Sequence, residues 1–333
     1  MSERGLVGIV ALVAVLAMAG GAALGVVLIG SRAEPVHHPS HPSHPATGPA
    51  GSDYVAISAV PPAAAEPPVR TYGVSCGNNE NGHYNPDNMI VTPGIRNGSH
   101  HLHDYVGNTT TSAGSTDLSL ASATTTCRDR TDRSAYFWPV LRDRTGTDAL
   151  RAGESAADRN TGRVLRPQVS ITFSGNPRTK VVAPPRFLRV IAGDAKAYTN
   201  GGGNAHARFT CRGFTDRVSS EKYPLCPGGR GLTRILEFPS CWDAASLDSA
   251  SHRAHVVFPS ADGVCPRGTV AIPKLTYTLT YDVPAGTSYA VDSFPDQLHR
   301  PISDHADYVN VMSSPSMARV VACLNEGTSC PRA

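Results

Sequence analysis

The sequence has little net charge. Its 333 residues include 30 Lys or Arg and 27 Asp or Glu, which gives a formal net charge of +3. Proteins that bind nucleic acid through its phosphates usually concentrate many cations on one face, so this balance predicts that nucleic acid is not a partner. Aromatic residues make up only 6% of the chain, but hydrophobic residues make up 40%, which is enough to form a core at this length.

Several motifs are missing. There is no Cys-x-x-Cys pair, so a thiolate zinc site is not expected, and there is no Gly-x-Ser-x-Gly, so a serine nucleophile has little support. The chain has no internal repeat, and no pattern of a long amphipathic helix follows residue 70. These absences leave β structure as the expected fold class and histidine and aspartate as the candidate functional residues.

Short apolar or alternating runs, broken by Gly, Pro, Asn and Asp, are typical of β-strands. In the longest run, Leu275, Tyr277, Leu279 and Tyr281 alternate with threonines, as in a half-buried strand. The other runs are QVSITF (168–173), FLRVIA (187–192) and AHVVF (254–258). We therefore expect a mainly β fold over residues 71–333, a single antiparallel β-sandwich or jelly-roll-like domain with long disulfide-stapled loops.

Eight cysteines lie beyond the proline-rich region, an even number that indicates disulfide bonds in an oxidising compartment. Eight cysteines allow 105 pairings, so the sequence leaves the connectivity open. Local spacing favours the pairs Cys76 with Cys127, Cys211 with Cys226, Cys241 with Cys265, and Cys323 with Cys330.

An apolar run over residues 6–30 is long enough to span a bilayer as a helix. It predicts a transmembrane anchor over residues 1–32, which would place a single-pass protein in the cell membrane with its C-terminal domain outside. The alternative is a signal segment cleaved within residues 17–23, which would make the protein secreted. Either way, the segment implies export.

Residues 33–70 are rich in Pro, Ala and His and predict a disordered tether, because such a composition cannot bury apolar surface. The tether contains His37, His38, His41 and His44. Clustered imidazoles can bind metal loosely, but a solvated spacer explains them better, because no carboxylate or thiolate partners accompany them.

The other nine histidines lie in the body, and several are clustered. His101 and His103 are two residues apart, a spacing that on a strand puts both rings on one face, where they can share a metal or a substrate. The alternative is a pair of polar side chains on an exposed strand. A second cluster, residues 238–255, contains Asp243, His252 and His255 beside Cys241, and a disulfide there would hold the loop rigid. A structural loop in which its aspartates cap turns is the competing interpretation.

The region from about Tyr72 to Cys323 resembles the secreted domain of unknown function numbered nineteen-ninety-six, found in actinobacteria and filamentous fungi. The resemblance rests on motifs in the same order: DNMIVTPG (87–94), SHHLHDYVGN (99–108), TCRDRTDRSAYFWPVL (126–141), IAGD (191–194), ILEFPSCWD (235–243), LDSASHRAHVVFP (247–259) and HADYVN (305–310). Two mild departures, Ala306 for Gly and Tyr308 for Phe, leave the last motif's His and Asp in place. The resemblance implies no reaction. It does imply polysaccharide at the cell surface, since fungal relatives often carry carbohydrate-binding modules.

We predict an extracellular carbohydrate-active enzyme, a hydrolase or a lyase acting on a cell-wall or environmental polysaccharide, although the sequence does not decide whether the protein is an enzyme. A glycoside hydrolase needs two carboxyl groups, and Asp87, Asp104, Asp194, Asp243, Asp248 and Asp307 lie inside the shared motifs. A lyase acting on a uronic acid needs a His or Tyr base and an Arg or His that neutralises the sugar carboxylate.

The predicted catalytic groups are imidazoles, each oriented by an aspartate: His101, His103, Asp194, Asp243, His252, His255 and His305. A divalent metal, with Zn, Cu and Ca as candidates, is a variant of this site. His101, His103 and one of His252, His255 or His305 would complete a three-histidine centre, and His255 is our choice for the third ligand.

A non-catalytic surface module that binds glycan or protein is the alternative function. In that case, the histidines would be hydrogen-bonded structural groups. The discriminating feature is convergence, because an enzyme requires the body histidines to meet in one pocket.

Overall fold

The computed structural model describes residues 49–64, 67–146, 148–327 and 330. The predicted membrane segment and most of the predicted tether, with its four histidines, lie outside these residues. All described residues belong to one compact unit, Pro45–Ala333. Within that part of the chain, no helix has the length and apolar character that a bilayer span requires.

The described residues are mainly β, as predicted. The strands are β1 (Tyr54–Ala56), β2 (Thr71–Val74), β3 (Tyr84–Asn85), β4 (His103–Gly107), β5 (Ala135–Pro139), β6 (Leu141–Asp143), β7 (Arg163–Leu165), β8 (Gln168–Ser174), β9 (Arg189–Gly193), β10 (Ala207–Cys211), β11 (Tyr223–Leu225), β12 (Leu232–Glu237), β13 (Cys241–Trp242), β14 (Val256–Val257), β15 (Val270–Ala271), β16 (Lys274–Tyr281), β17 (Tyr289–Val291) and β18 (His305–Val309).

Two five-stranded antiparallel sheets contain most of these strands. The first has the order β10-β12-β16-β8-β2, and the second has the order β3-β4-β5-β18-β9. Three smaller sheets have the orders β14-β13-β15, β17-β6-β7 and β1-β11, the last one parallel. The four runs predicted as strands correspond to β8, β9, β14 and β16. Along β16, the leucines and tyrosines are buried and the threonines are half-buried, as their alternation predicted.

Aromatic side chains join the two large sheets. The rings of Tyr136 and Trp138, on β5, lie 5.9 and 5.5 Å from the ring of Tyr277, on β16. The Tyr277 hydroxyl also donates a hydrogen bond to the backbone carbonyl of Asp307 on β18 (3.0 Å). Because side chains alternate along a strand, His103 on β4 and His305 on β18 lie on the opposite face of the second sheet from these aromatics. The finer prediction of one sandwich or jelly roll stays a prediction.

Two α-helices accompany the sheets, α1 (Asp117–Ser122) and α2 (Ser314–Glu326). The sequence patterns did not predict α2. Its signals are local: the Ser313 hydroxyl caps the N-terminus by accepting from the Ser316 N–H, and Gly327 ends the helix in the left-handed region. Six 3-10 turns complete the described secondary structure: Gly51–Asp53, Ile57–Ala59, Ala156–Asp158, Pro227–Gly229, Pro295–Gln297 and Pro301–Ser303.

Part of the segment predicted as a tether has a fixed structure. Strand β1 lies inside residues 33–70, pairs with β11, and is followed by the buried side chains of Ile57 and Val60. The composition of residues 33–70 as a whole predicts no buried apolar surface, but these two apolar side chains are buried. Their burial is the physical reason that part of the segment predicted as a tether packs against the domain.

Four disulfide bonds are present, and they join Cys76 to Cys127, Cys211 to Cys226, Cys241 to Cys265 and Cys323 to Cys330. These are the pairs that local spacing favoured. Disulfides of this number are typical of extracellular proteins, which fold in an oxidising compartment.

Gly193 ends β9 opposite His305, with φ +75°, and a Cβ atom there would overlap the backbone carbonyl of Asp304. Gly213 has a similar φ of +85° but open space around it. We predict that Gly193→Ala lowers the free energy of unfolding by about 3 kcal/mol, and Gly213→Ala by about 1 kcal/mol, since only the first adds steric overlap to backbone strain. Urea unfolding measures both. Equal losses would contradict the claim that the backbone at Gly193 is closely packed.

Candidate metal centre

Three buried histidines meet on the second sheet. The Nε2 atom of His101 lies 3.1 Å from Nε2 of His103 and 3.1 Å from Nε2 of His305. Each residue offers one ring nitrogen such that all three atoms lie within 4.8 Å of one another. His101 lies just before β4, His103 begins β4, and His305 begins β18. We call these three residues the histidine triad.

The backbone fixes the tautomers of two members. His103 Nδ1 is 2.9 Å from the carbonyl oxygen of Asp87, and His305 Nδ1 is 3.1 Å from that of Ser303. A carbonyl oxygen can only accept, so each Nδ1 must carry the proton. In the neutral ring, Nε2 then presents a lone pair to His101. His101 can donate one Nε2–H at most, so protons on the triad cannot satisfy both 3.1 Å contacts.

Burial keeps the triad neutral. Loss of solvation lowers the pKa of all three imidazoles, and His103 and His305 lower the pKa of His101 further by electrostatic repulsion. Neutral imidazole is the form that binds metal. The triad is therefore held in a ligand-competent state by its surroundings.

A buried ion pair stabilises the backbone beside His305. The Arg234 side chain, on β12 of the first sheet, donates to both carboxylate oxygens of Asp304, at 2.9 and 2.5 Å, and to the carbonyl of Pro139 on β5 (2.9 Å). Pro139 on β5 lies opposite His103 on β4. On its other side, β5 pairs with β18, and continuing the Asp307–Phe137 pairing by two residues places His305 opposite the same proline. One guanidinium thus fixes the backbone beside two members of the triad.

A pocket of about 380 Å³ opens beside the triad. The residues of its wall are Asn88, Val91, Thr92, Gly98, Ser99, His100, Ile191, Asp194, Ala195, Lys196, Ser251, His252, Arg253, Phe294, His305 and Asp307. Phe294 packs edge-on against the ring of His101, at 5.4 Å between ring centroids. A molecule in this pocket would therefore contact the triad through His305 and lie beside His101.

His252 lies on the wall of this pocket and is oriented by an aspartate. Its Nδ1 is 2.9 and 3.0 Å from the two carboxylate oxygens of Asp248. A carboxylate accepts, so Nδ1 carries the proton and Nε2 of the neutral ring keeps a lone pair. In the described part of the chain, no residue hydrogen-bonds to that Nε2. An imidazole oriented by a carboxylate at a pocket wall is suited to accept a proton.

His255 does not belong to the triad. Its Nε2 is 2.7 Å from the carbonyl of Arg189, so Nε2 donates, and its Nδ1 accepts from the hydroxyl of Ser249 (3.0 Å). The Arg189 N–H also donates to the carbonyl of Leu247 (2.9 Å). His255 therefore attaches the loop that carries His252 to the edge of β9. The choice of His255 as the third member of a three-histidine cluster is corrected to His305, because both ring nitrogens of His255 are already engaged.

The two predicted aspartates have different surroundings. Asp194 lines the pocket, and its carboxylate accepts from the Lys196 N–H and from the Asn200 side chain (2.9 and 2.6 Å). Burial acts to raise the pKa of Asp194, but these hydrogen bonds outweigh it and the pKa is lowered. Asp243 is not on the pocket wall, and one of its oxygens accepts from the N–H groups of Ala245 and Ser246. The turn-capping interpretation therefore describes Asp243.

Asp307 is a pocket residue that the predicted catalytic set omitted. It is fully buried, and neither carboxyl oxygen has a hydrogen-bond partner of normal geometry. Burial raises the pKa of Asp307 to about 7, and the nearby Asn88 amide and Arg253 guanidinium offset only part of that increase. The sequence held a usable signal, since Asp307 lies two residues after His305 on β18 and thus on the same face.

One other group of potential ligands occurs in the described residues, Cys76, Cys127 and Asp132. Its two cysteines form a disulfide bond, so they offer no thiolate, and the group is not a metal site.

Comparison with known proteins gives one match. The family model described as "Domain of unknown function (DUF1996)" matches residues 88–311, which include the triad, His252, His255 and Asp307. Searches of curated proteins and of solved structures found no match.

Removing one triad member should weaken metal binding strongly. We predict that His305→Ala weakens Zn²⁺ binding by the full chain at least 100-fold, because two imidazoles remain of three. His255→Ala should bind Zn²⁺ as the unaltered chain does, since its ring lies outside the triad. Isothermal titration measures both affinities, and circular dichroism confirms that each variant is folded. Unchanged Zn²⁺ affinity in folded His305→Ala would contradict the assignment.

Proposed function

The chain belongs to the DUF1996 family of domains of unknown function, and we propose that it is an extracellular, metal-dependent enzyme, a hydrolase or lyase that acts on a polysaccharide. The observation that carries the proposal is the convergence of His101, His103 and His305 beside a pocket whose wall includes His305 and His252. A surface-binding module has no need for three buried imidazole nitrogens at contact distance. The mainly β scaffold, which we further propose is a β-sandwich, would hold the pocket rigid.

The donor set fits a metal of a particular type. Three nitrogens bound to Zn²⁺ at about 2.0 Å in tetrahedral geometry lie roughly 3.3 Å apart, close to the two distances of 3.1 Å in the triad. Imidazole suits Zn²⁺ and Cu²⁺, whereas Ca²⁺ takes oxygen ligands. Of the three metals considered, the triad therefore favours Zn²⁺ or Cu²⁺. When bound, such an ion would polarise an oxygen of the substrate and stabilise developing negative charge.

The chain's own groups would position the substrate and move a proton. His252 would accept a proton at Nε2, and Asp248 would stabilise the resulting imidazolium through its contacts with Nδ1. In a hydrolase, that proton would come from water. In a lyase, it would come from a carbon of the sugar. His255 would act as a positioning residue, because it holds the loop that carries His252.

Support for a polysaccharide comes from the pocket wall and from the cellular context. The wall combines an aromatic ring, Phe294, with polar side chains such as Asn88 and Thr92, a mixture that suits sugar rings and hydroxyls. The disulfides are consistent with an exported protein that meets extracellular glycans.

We propose that the apolar segment over residues 6–30 anchors the chain to the membrane. The alternative function, a glycan-binding module, predicts binding without turnover.

Activity should require both the metal and His252. We expect the Zn²⁺- or Cu²⁺-loaded full chain to release products from at least one member of a polysaccharide panel, and a chelator to stop the release. His252→Gln should lower kcat about 10²- to 10⁴-fold while the bound metal, measured by elemental analysis, stays constant. His206→Gln is the matched control, since His206 stacks on Phe258 and does not line the pocket. Full activity in His252→Gln would refute the assigned role.

A further inference from the structure

The wall of the pocket includes two cationic side chains, Arg253 and Lys196. Neither forms an ion pair with an acidic residue in the described part of the chain. The Arg253 guanidinium makes no hydrogen bond or ion pair with a described residue, although it is close enough to Asp194, Asp307 and His305 to influence their ionisation. The Lys196 ammonium lies over the ring of Phe294, 5.2 Å from its centroid, and likewise has no ion-pair partner in the described part of the chain.

The loop around Arg253 is firmly held. The Ala254 N–H donates to the hydroxyls of Ser249 and Ser251, and the next residue, His255, binds the edge of β9. Together with the Cys241–Cys265 disulfide, these contacts fix the backbone that presents Arg253. The guanidinium is thus presented on a fastened loop rather than on a free surface segment, which lowers the entropy lost on binding a ligand.

The charge balance of the pocket is positive when the triad holds a divalent ion. Lys196, Arg253 and the ion would contribute four positive charges, and the two carboxyl groups of the wall, Asp194 and Asp307, contribute at most two negative ones. The Asp194 carboxylate is already engaged by the Lys196 N–H and the Asn200 amide. A site with this excess attracts anions and disfavours cations.

We propose that the pocket binds an acidic sugar unit, and that Arg253 and Lys196 recognise the carboxylate of a uronic acid in the polysaccharide chain. Guanidinium pairs with carboxylate through two parallel hydrogen bonds, and the Lys196 ammonium adds a second positive charge on the wall of the same pocket. The ring of Phe294, between Lys196 and His101, would lie against the apolar face of the same sugar. This inference rests on the proposed function and specifies its substrate class.

A matched pair of ligands tests the proposal. Oligogalacturonate and its methyl ester share one sugar framework and differ in charge, and calorimetry can measure their binding to the full chain with Zn²⁺ loaded. We expect the acid to bind about 10- to 100-fold more tightly, the value of one charge-assisted contact. Arg253→Gln should remove that preference, and Arg253→Lys should restore part of it. Lys196→Gln should reduce it.

Three results would overturn the inference: equal binding of acid and ester, unchanged preference in folded Arg253→Gln, or tighter binding of a sulfated oligosaccharide than of the uronate. The assay measures binding, so it is separate from the test of catalysis. A preference for the acid without any turnover would leave the acidic subsite in place and count against the enzyme. Turnover of neutral glycans only would count against the subsite.

Discussion

The candidate site depends on the close approach of three imidazole nitrogens, those of the histidine triad. His103 and His305 each donate Nδ1–H to a backbone carbonyl, so both present a lone pair to Nε2 of His101 at 3.1 Å. Hydrogen bonding within the triad can satisfy only one of those two contacts. A metal ion that accepted all the lone pairs would resolve the conflict, as we propose, and burial already favours the neutral rings that such an ion needs.

The fold produces this approach by strand register and by support from the other sheet. His103 and His305 begin strands that flank β5, and the alternation of side chains puts both rings on the face away from the aromatic core. Arg234 crosses from the first sheet to bind Asp304 and Pro139 on the opposite side of that backbone. Such a buried pair is costly to break, since removal of one partner leaves the other charge without compensation. The position of the triad therefore depends on contacts with the core.

Much of the fold could be predicted from the sequence, because the patterns that indicate it involve residues that are close together in the chain. The alternation along β16, the spacing of His101 and His103, and the three disulfides whose cysteines are 7 to 24 residues apart depend on residues that are close in the chain. His305 was one of three candidates for the third triad member, but the sequence could not select it, because the approach of β18 to β4 results from sheet register over some 200 residues. The ring of His255, the predicted third ligand, instead holds the loop that carries His252. Helix α2 was missed although its Ser313 and Gly327 caps are local, because its apolar stripe is short.

The most direct measurement of the central claim is X-ray absorption at the metal edge of the Zn²⁺-loaded full chain. Three nitrogen neighbours at about 2.0 Å with the scattering pattern of imidazole rings are predicted, and one imidazole should be lost in His305→Ala. An all-oxygen environment, or an identical spectrum from folded His305→Ala, would contradict the histidine triad as a metal centre.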